Sequence, residues 1–211
     1  SNKRENFLNY IKTTGLPEIF NIDSTEIHRH YFQSLKDTIL LKDIMHRYKI
    51  RDYVLLEDLF LFILHNVGSL VSIPSIVNYY KSRSRKVDYS TIAAFIAYME
   101  EAFILRQCPK WHIKTRELLS GEKKYFINDL GFRNYLYPQL ITDIASMLEN
   151  IVYLHLLRAG FEVKIGHARN YEVDFVATKG DEMIYVQVTY MLTSKETANR
   201  EFRSLESITD N

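Results

Sequence analysis

The run Tyr171-Glu172-Val173-Asp174-Phe175-Val176 is answered by Ile184-Tyr185-Val186-Gln187-Val188-Thr189-Tyr190, and this pair limits the fold more than any other segment. Apolar and polar residues alternate in both runs. Gly180-Asp181 marks a turn between them, so the pair reads as a β-hairpin. Strand side chains point to alternate faces. Val173, Phe175 and Ala177 are therefore expected on one face, with Glu172, Asp174 and Val176 on the other. On the second strand Ile184, Val186, Val188 and Tyr190 go together, with Tyr185, Gln187 and Thr189 opposite. With both apolar sets turned to the core, Asp174, Gln187 and Thr189 converge on one surface.

The residues ahead of the hairpin extend the pattern. Asp143 to Ala159 reads as a helix, capped by Thr142 or Asp143 and ended by Gly160. Its apolar residues, from Ile144 to Leu156, give a broad buried face bordered by Glu149. Strands are expected at Phe161–Ile165, Tyr171–Thr178 and Met183–Leu192, and a last helix from near Ser194 to Ser207. The order is αβββα, a mixed sheet covered by helices.

Upstream the periodicity is helical. Helices are expected over residues 3–14, after Ser24 through Ile39, and from Leu55 to Asn66 with Gly68 as a stop. Ser72-Ile73-Pro74 opens a short helix, because proline at an early helical position loses little. Lys81, Arg83, Arg85 and Lys86 form a basic turn, and Asp88 or Ser90 caps the next helix. Strands follow at 103–107 and 124–128. Three helices and then a two-stranded ribbon is the winged-helix order. The functional expectation is DNA contact, with the basic turn on phosphates. The helix over 90–101 would be the recognition helix, but it offers Thr91, Ala94, Tyr98 and Glu101 rather than good base-edge readers. Winged helices also dock proteins, and that alternative stays open.

Composition narrows the classes. The 211 residues suffice for one large domain or two small ones. A net charge of +1 announces no global attraction to nucleic acid or membrane. Cys108 stands alone, which excludes an intrachain disulfide and points to a reducing, cytoplasmic setting. No apolar run nears the roughly 20 residues of a membrane helix, and no signal peptide opens the chain. There is no Walker A loop or Rossmann fingerprint, so this piece alone is not expected to hydrolyse nucleotide. Scattered histidines and a lone cysteine argue against zinc. Both ends read as those of a piece of a longer chain.

Several runs together carry a resemblance: Leu41-Lys42-Asp43-Ile44, the stretch Lys124 to Gly131, Glu149-Asn150, Gly160, the two hairpin strands, and Arg200-Glu201. They resemble the C-terminal region of a family of bacterial and archaeal AAA+ superfamily ATPase-like proteins. There a P-loop ATPase precedes a winged-helix region and a PD-(D/E)XK nuclease-like domain, mostly described as of unknown function. Gly15-Leu16-Pro17-Glu18 looks like the junction past the ATPase module. The resemblance implies an α/β (α+β) chain in three parts: a helical linker over 1–50, a winged-helix-like domain over 51–140, and a restriction-endonuclease-like αβββα domain over 141–211, truncated or not at its C-terminus.

It also implies a site. Glu149 matches the helical acidic residue of the nuclease motif and Asp174 the strand aspartate, and these two would hold Mg²⁺ or Mn²⁺, hard ions that take oxygen ligands. Gln187 stands where a second acidic residue belongs and Thr189 where a lysine belongs. A glutamine offers a neutral carbonyl, but a threonine hydroxyl does not replace an ammonium, so the catalytic set is degenerate. Lys195 or Lys164 could take the vacant place. Plainer roles stay open beside it: Asp174 as a sheet-edge carboxylate holding a turn, and Glu149 as a partner of Arg158 or Arg200. The expectation is a nucleic-acid-binding or regulatory module, reaching ATP only through a separate N-terminal module, with DNA, that module and a second copy of the chain as partners. The alternatives are an active Mg²⁺- or Mn²⁺-dependent endonuclease and a protein-interaction module of an oligomeric ATPase.

Overall fold

Capping chemistry sets most helix starts. The computed structural model describes residues 2–140, 143–168, 171–190, 205 and 208. Helix α1 (Lys3–Lys12) leads into a 3-10 turn at Pro17–Ile19. Ser24 accepts the Ile27 amide and begins α2 (Thr25–Asp37), which runs on through a π-helical segment (Thr38–Met45) and a last turn (His46–Tyr48). Asp52 caps α3 (Tyr53–His65), and a Ser72–Ser75 capping box with Pro74 in the first turn opens α4 (Ile73–Ser82). Asp88, not Ser90, caps α5 (Tyr89–Glu101) by accepting the Thr91 amide at 2.8 Å. After the short α6 (Gly131–Leu136), Asp143 caps α7 (Ile144–Arg158), and Gly160 in left-handed geometry ends it. None of the described helices is long and apolar enough to cross a membrane.

Six strands form one open mixed sheet: β1 (Leu70–Val71), β2 (Leu105–His112), β3 (Glu117–Ile127), β4 (Glu162–Ala168), β5 (Tyr171–Lys179) and β6 (Glu182–Val186). Their spatial order is β1-β3-β2-β4-β5-β6, antiparallel throughout except for the parallel pair β2 and β4. The β2–β4 pairing carries the sheet across residue 140, joining the ribbon to the αβββ region. The ribbon is longer than the sequence suggests, because its strands continue to His112 and from Glu117. The expected start of its first strand, Phe103, instead lies in a turn at φ 56°. The last expected strand is cut short: β6 stops at Val186, and residues 187–190, Gln187 and Thr189 among them, continue outside it. Thr142, Leu192, Lys195, Arg200-Glu201 and the helix expected over 194–207 lie outside the described residues, apart from Leu205, which is helical.

The main core runs from Ile11 to Ala177 and includes residues of every numbered helix. A smaller core on the sheet's other side joins Trp111, Ile113, Ala168, Val173 and Val176, with Leu205 and Ile208 packed on it. Strict alternation along β5 fails here. Lys164 pairs with Val176 but Gly166 with Val173, so β5 carries one extra residue. This β-bulge puts Val173 with Val176 in the small core, while Phe175 and Ala177 stay in the main one. Gly166 permits the close approach: a Cβ there would lie 2.7 Å from Val176 Cγ2.

Candidate functional site

The pairing of β3 with α7 builds the site. Phe126 stacks on Tyr153 with ring centroids 4.4 Å apart, so this face of β3 meets α7. Two residues earlier on the strand and four earlier on the helix, the same geometry brings Lys124 to Glu149. The Lys124 ammonium lies 3.0 Å from Glu149 Oε2. Asn150 fixes the register beside it, since its side-chain amide both accepts from the Ile127 amide and donates to the Ile127 carbonyl at 2.8 Å. The β5 bulge turns two further carboxylates to the same face, with Glu172 Oε1 at 3.5 Å and Asp174 Oδ1 at 3.7 Å from the ammonium. Gly68 lies against the back of Glu149, where a Cβ would stand 3.4 Å from Oε2.

Burial sharpens the electrostatics. The Lys124 side chain is only 6% exposed. Desolvation works against its charge, but Glu149, Asp174 and Glu172 outweigh it and hold its pKa above the ordinary lysine value. Desolvation raises the Glu149 pKa to about 7, helped by Asp174 and Glu172 and opposed by Lys124. Among the described residues the cluster sets one ammonium against three carboxylates, and Glu149 takes up a proton near neutrality.

Of the four residues expected at the site, the fold brings together Glu149 and Asp174. Gln187 joins through the backbone: its Oε1 accepts the Asp174 amide at 3.3 Å, while Asp174 Oδ2 accepts the Val188 amide at 2.7 Å. Asp174 therefore also holds the chain just past β6. Thr189 is exposed there and makes no hydrogen bond to the cluster among the described residues. Lys164 turns elsewhere, pairing with Glu162 at 3.0 Å and lying near the Trp111 ring. Lys124 and Glu172 are the residues that strand spacing alone did not single out. The signal for Lys124 was a lone lysine on the apolar face shared with Phe126. The Lys124 ammonium occupies the space between the carboxylates, where a divalent ion would have to bind. Among the described residues no three His, Cys, Asp or Glu side chains are placed to share a metal ion. Cys108 is fully buried, and burial pushes its thiol up to about 12, which suits a core residue rather than a nucleophile.

The basic turn is split in use. Arg85 is held by Asp58 at 2.6 Å and Asp52 at 2.9 Å. Arg83 lies over the Tyr79 ring at 3.9 Å, and Lys81, Arg83 and Lys86 are exposed. On α5, the ring of Tyr48 stacks on Tyr98 at 3.6 Å and its hydroxyl donates to Glu101, so the helical run after α2 covers part of the expected recognition face.

Residues 4–169 match the family described as a domain of unknown function, DUF8612. The chain belongs to that family. Its DUF8612 segment contains Lys124 and Glu149 and stops ahead of Glu172 and Asp174. An uncharacterised protein of Haemophilus influenzae is 34% identical over 181 residues, 86% of this chain and 45% of the relative. An uncharacterised protein of Methanocaldococcus jannaschii is 30% identical over 203 residues, 93% of this chain and 44% of the relative. The chain thus spans less than half the length of these relatives. No solved structure matches it.

Proposed function

We propose that this DUF8612 chain is the non-ATPase part of a longer AAA+-type protein and acts as a nucleic-acid-binding or regulatory module whose nuclease-like cluster is closed by a built-in cation. The observation that carries this is the Lys124 ammonium, buried within 3.0–3.7 Å of Glu149, Glu172 and Asp174. In a metal-dependent nuclease such a space belongs to a divalent ion with an open position for water. An ammonium offsets part of the carboxylate charge and, unlike a divalent ion, offers no coordination position for water. The order α3, β1, α4, α5 and then the β2–β3 ribbon, with β1 paired to β3, supports a winged-helix reading of the first half. The exposed Lys81, Arg83 and Lys86 suit phosphate contacts, and Tyr48 on α5 favours backbone contact over major-groove reading.

Binding to duplex DNA across a salt series tests the module. Each phosphate contact contributes a slope of about −0.9 in log K against log salt, so Lys81→Ala/Lys86→Ala should flatten the slope by about 2. Salt-independent binding, or none, would leave the chain a protein-interaction module. A second reading has its own support: Lys124 and Glu172 supply an ammonium and a carboxylate that Thr189 and Gln187 lack. Cleavage of DNA in Mg²⁺ or Mn²⁺ that disappears in both Asp174→Ala and Lys124→Ala would establish an endonuclease.

A further inference from the structure

A cleft of about 720 Å³ opens between the C-terminal halves of α3 and α4. Its size is that of small-molecule sites, which run from roughly 300 to 1,000 Å³. It lies away from the Lys124 cluster, and the basic turn forms its rim. We propose that this cleft takes a nucleobase of single-stranded nucleic acid, stacked on the Arg83–Tyr79 pair; the inference rests on the nucleic-acid reading above and names the form of the ligand.

Three observations converge on a planar ligand with polar edges. The Arg83 guanidinium lies over the Tyr79 ring at 3.9 Å, and Tyr79 is itself braced edge-on by Phe62 at 4.8 Å. An exposed guanidinium backed by a fixed ring is a flat cationic platform, and bases of any sequence stack on such surfaces. Next, Tyr80 lines the cleft, is 3% exposed, and has a buried hydroxyl with no hydrogen-bond partner among the described residues. A buried polar group left unpaired is costly, and a base carbonyl or ring nitrogen reaching it would remove the cost. Finally, His65 Nδ1 lies 2.9 Å from the Leu61 carbonyl, which with Nδ1 as donor leaves Nε2 as an acceptor for a base amino group.

Charge argues for a strand over a free nucleotide. Arg85 lines the cleft but is balanced by Asp52 and Asp58, so among the described lining residues no cation beyond Arg83 is spare for a terminal phosphate. The unspent positive charges, Lys81 and Lys86, sit outside it on the same turn, where the phosphates of a continuing strand would run.

The test is fluorescence titration with a single-stranded oligonucleotide carrying 2-aminopurine, alongside the matching duplex and 2-aminopurine nucleoside monophosphate. The expected result is quenching on strand binding. Tyr79→Leu, which keeps an apolar contact to Phe62, should weaken strand binding about ten-fold while leaving duplex binding unchanged, and Lys81→Ala/Lys86→Ala should weaken both. Circular dichroism confirms that each variant is folded, and Arg83→Leu, at an exposed position, gives an independent readout with the same expected loss on the strand. Single-strand binding unaffected by Tyr79→Leu and by Arg83→Leu would overturn the cleft while sparing the nucleic-acid reading. Binding of no nucleic acid would overturn both. Displacement of the strand by the monophosphate at equal nucleotide concentration would assign the cleft to a free nucleotide and overturn the strand as its ligand.

Discussion

Lys124 occupies a strand position where an apolar side chain would ordinarily pack on a helix, and only the carboxylates around it make that tolerable. Removing one partner of a buried pair costs about 3–5 kcal/mol, because the remaining charges are left uncompensated. Lys124→Met should therefore lower stability by about that much in urea titration. Lys164→Met should cost far less, because among the described residues the ion pair of Lys164 is with the exposed Glu162. The same cluster sets a pH dependence. The Glu149 pKa rises on folding from 4.5 to about 7, so between those values the folded chain holds a proton that the unfolded chain has released. That contribution to stability is full below pH 4.5 and is lost as pH rises through about 7. Thermal unfolding should show stability falling across this window, and Glu149→Gln should remove most of the fall. A midpoint equally steep in the variant would place the proton elsewhere.

Among the elements, α7 on β3 is the joint that makes the site. Asn150 is 0% exposed and closes both hydrogen bonds of Ile127, doing for the strand what a neighbouring strand would do. Asn150→Leu should cost about 1–3 kcal/mol for each backbone group orphaned, read as a lower urea midpoint. This joint also marks how far the sequence could be read. Helix starts were legible, because Ser24, Ser72, Asp88 and Asp143 announce themselves by the hydrogen bond each cap accepts. Glu149 and Asp174 were legible as carboxylates at matching places on a helix and a strand. The faces of β5 were not, because alternation assumes no bulge and nothing in Val173-Asp174-Phe175 declares one. Lys124 was not, because its partners come from α7 and β5, and only the order β3-β2-β4-β5 beneath α7 brings them together.

Over the whole molecule, one sheet and one main core link the helical half to the carboxylate-bearing half. Asp129 closes a further long-range tie: its carboxylate accepts from Thr14 Oγ1 at 2.6 Å, from the Gly15 amide at 2.9 Å and from the Gly131 amide at 2.7 Å. Thr14 and Gly15 therefore rest on Asp129, just past the end of β3, the strand that carries Lys124. Everything in this view turns on Lys124 standing where a metal would. The most direct measurement is a Mn²⁺ titration followed by electron paramagnetic resonance on the folded wild-type chain and on Asp174→Ala. A lysine-closed site predicts no binding in the millimolar range that Asp174→Ala removes. A wild-type Mn²⁺ site that is lost in Asp174→Ala would contradict it and make the cluster a metal centre.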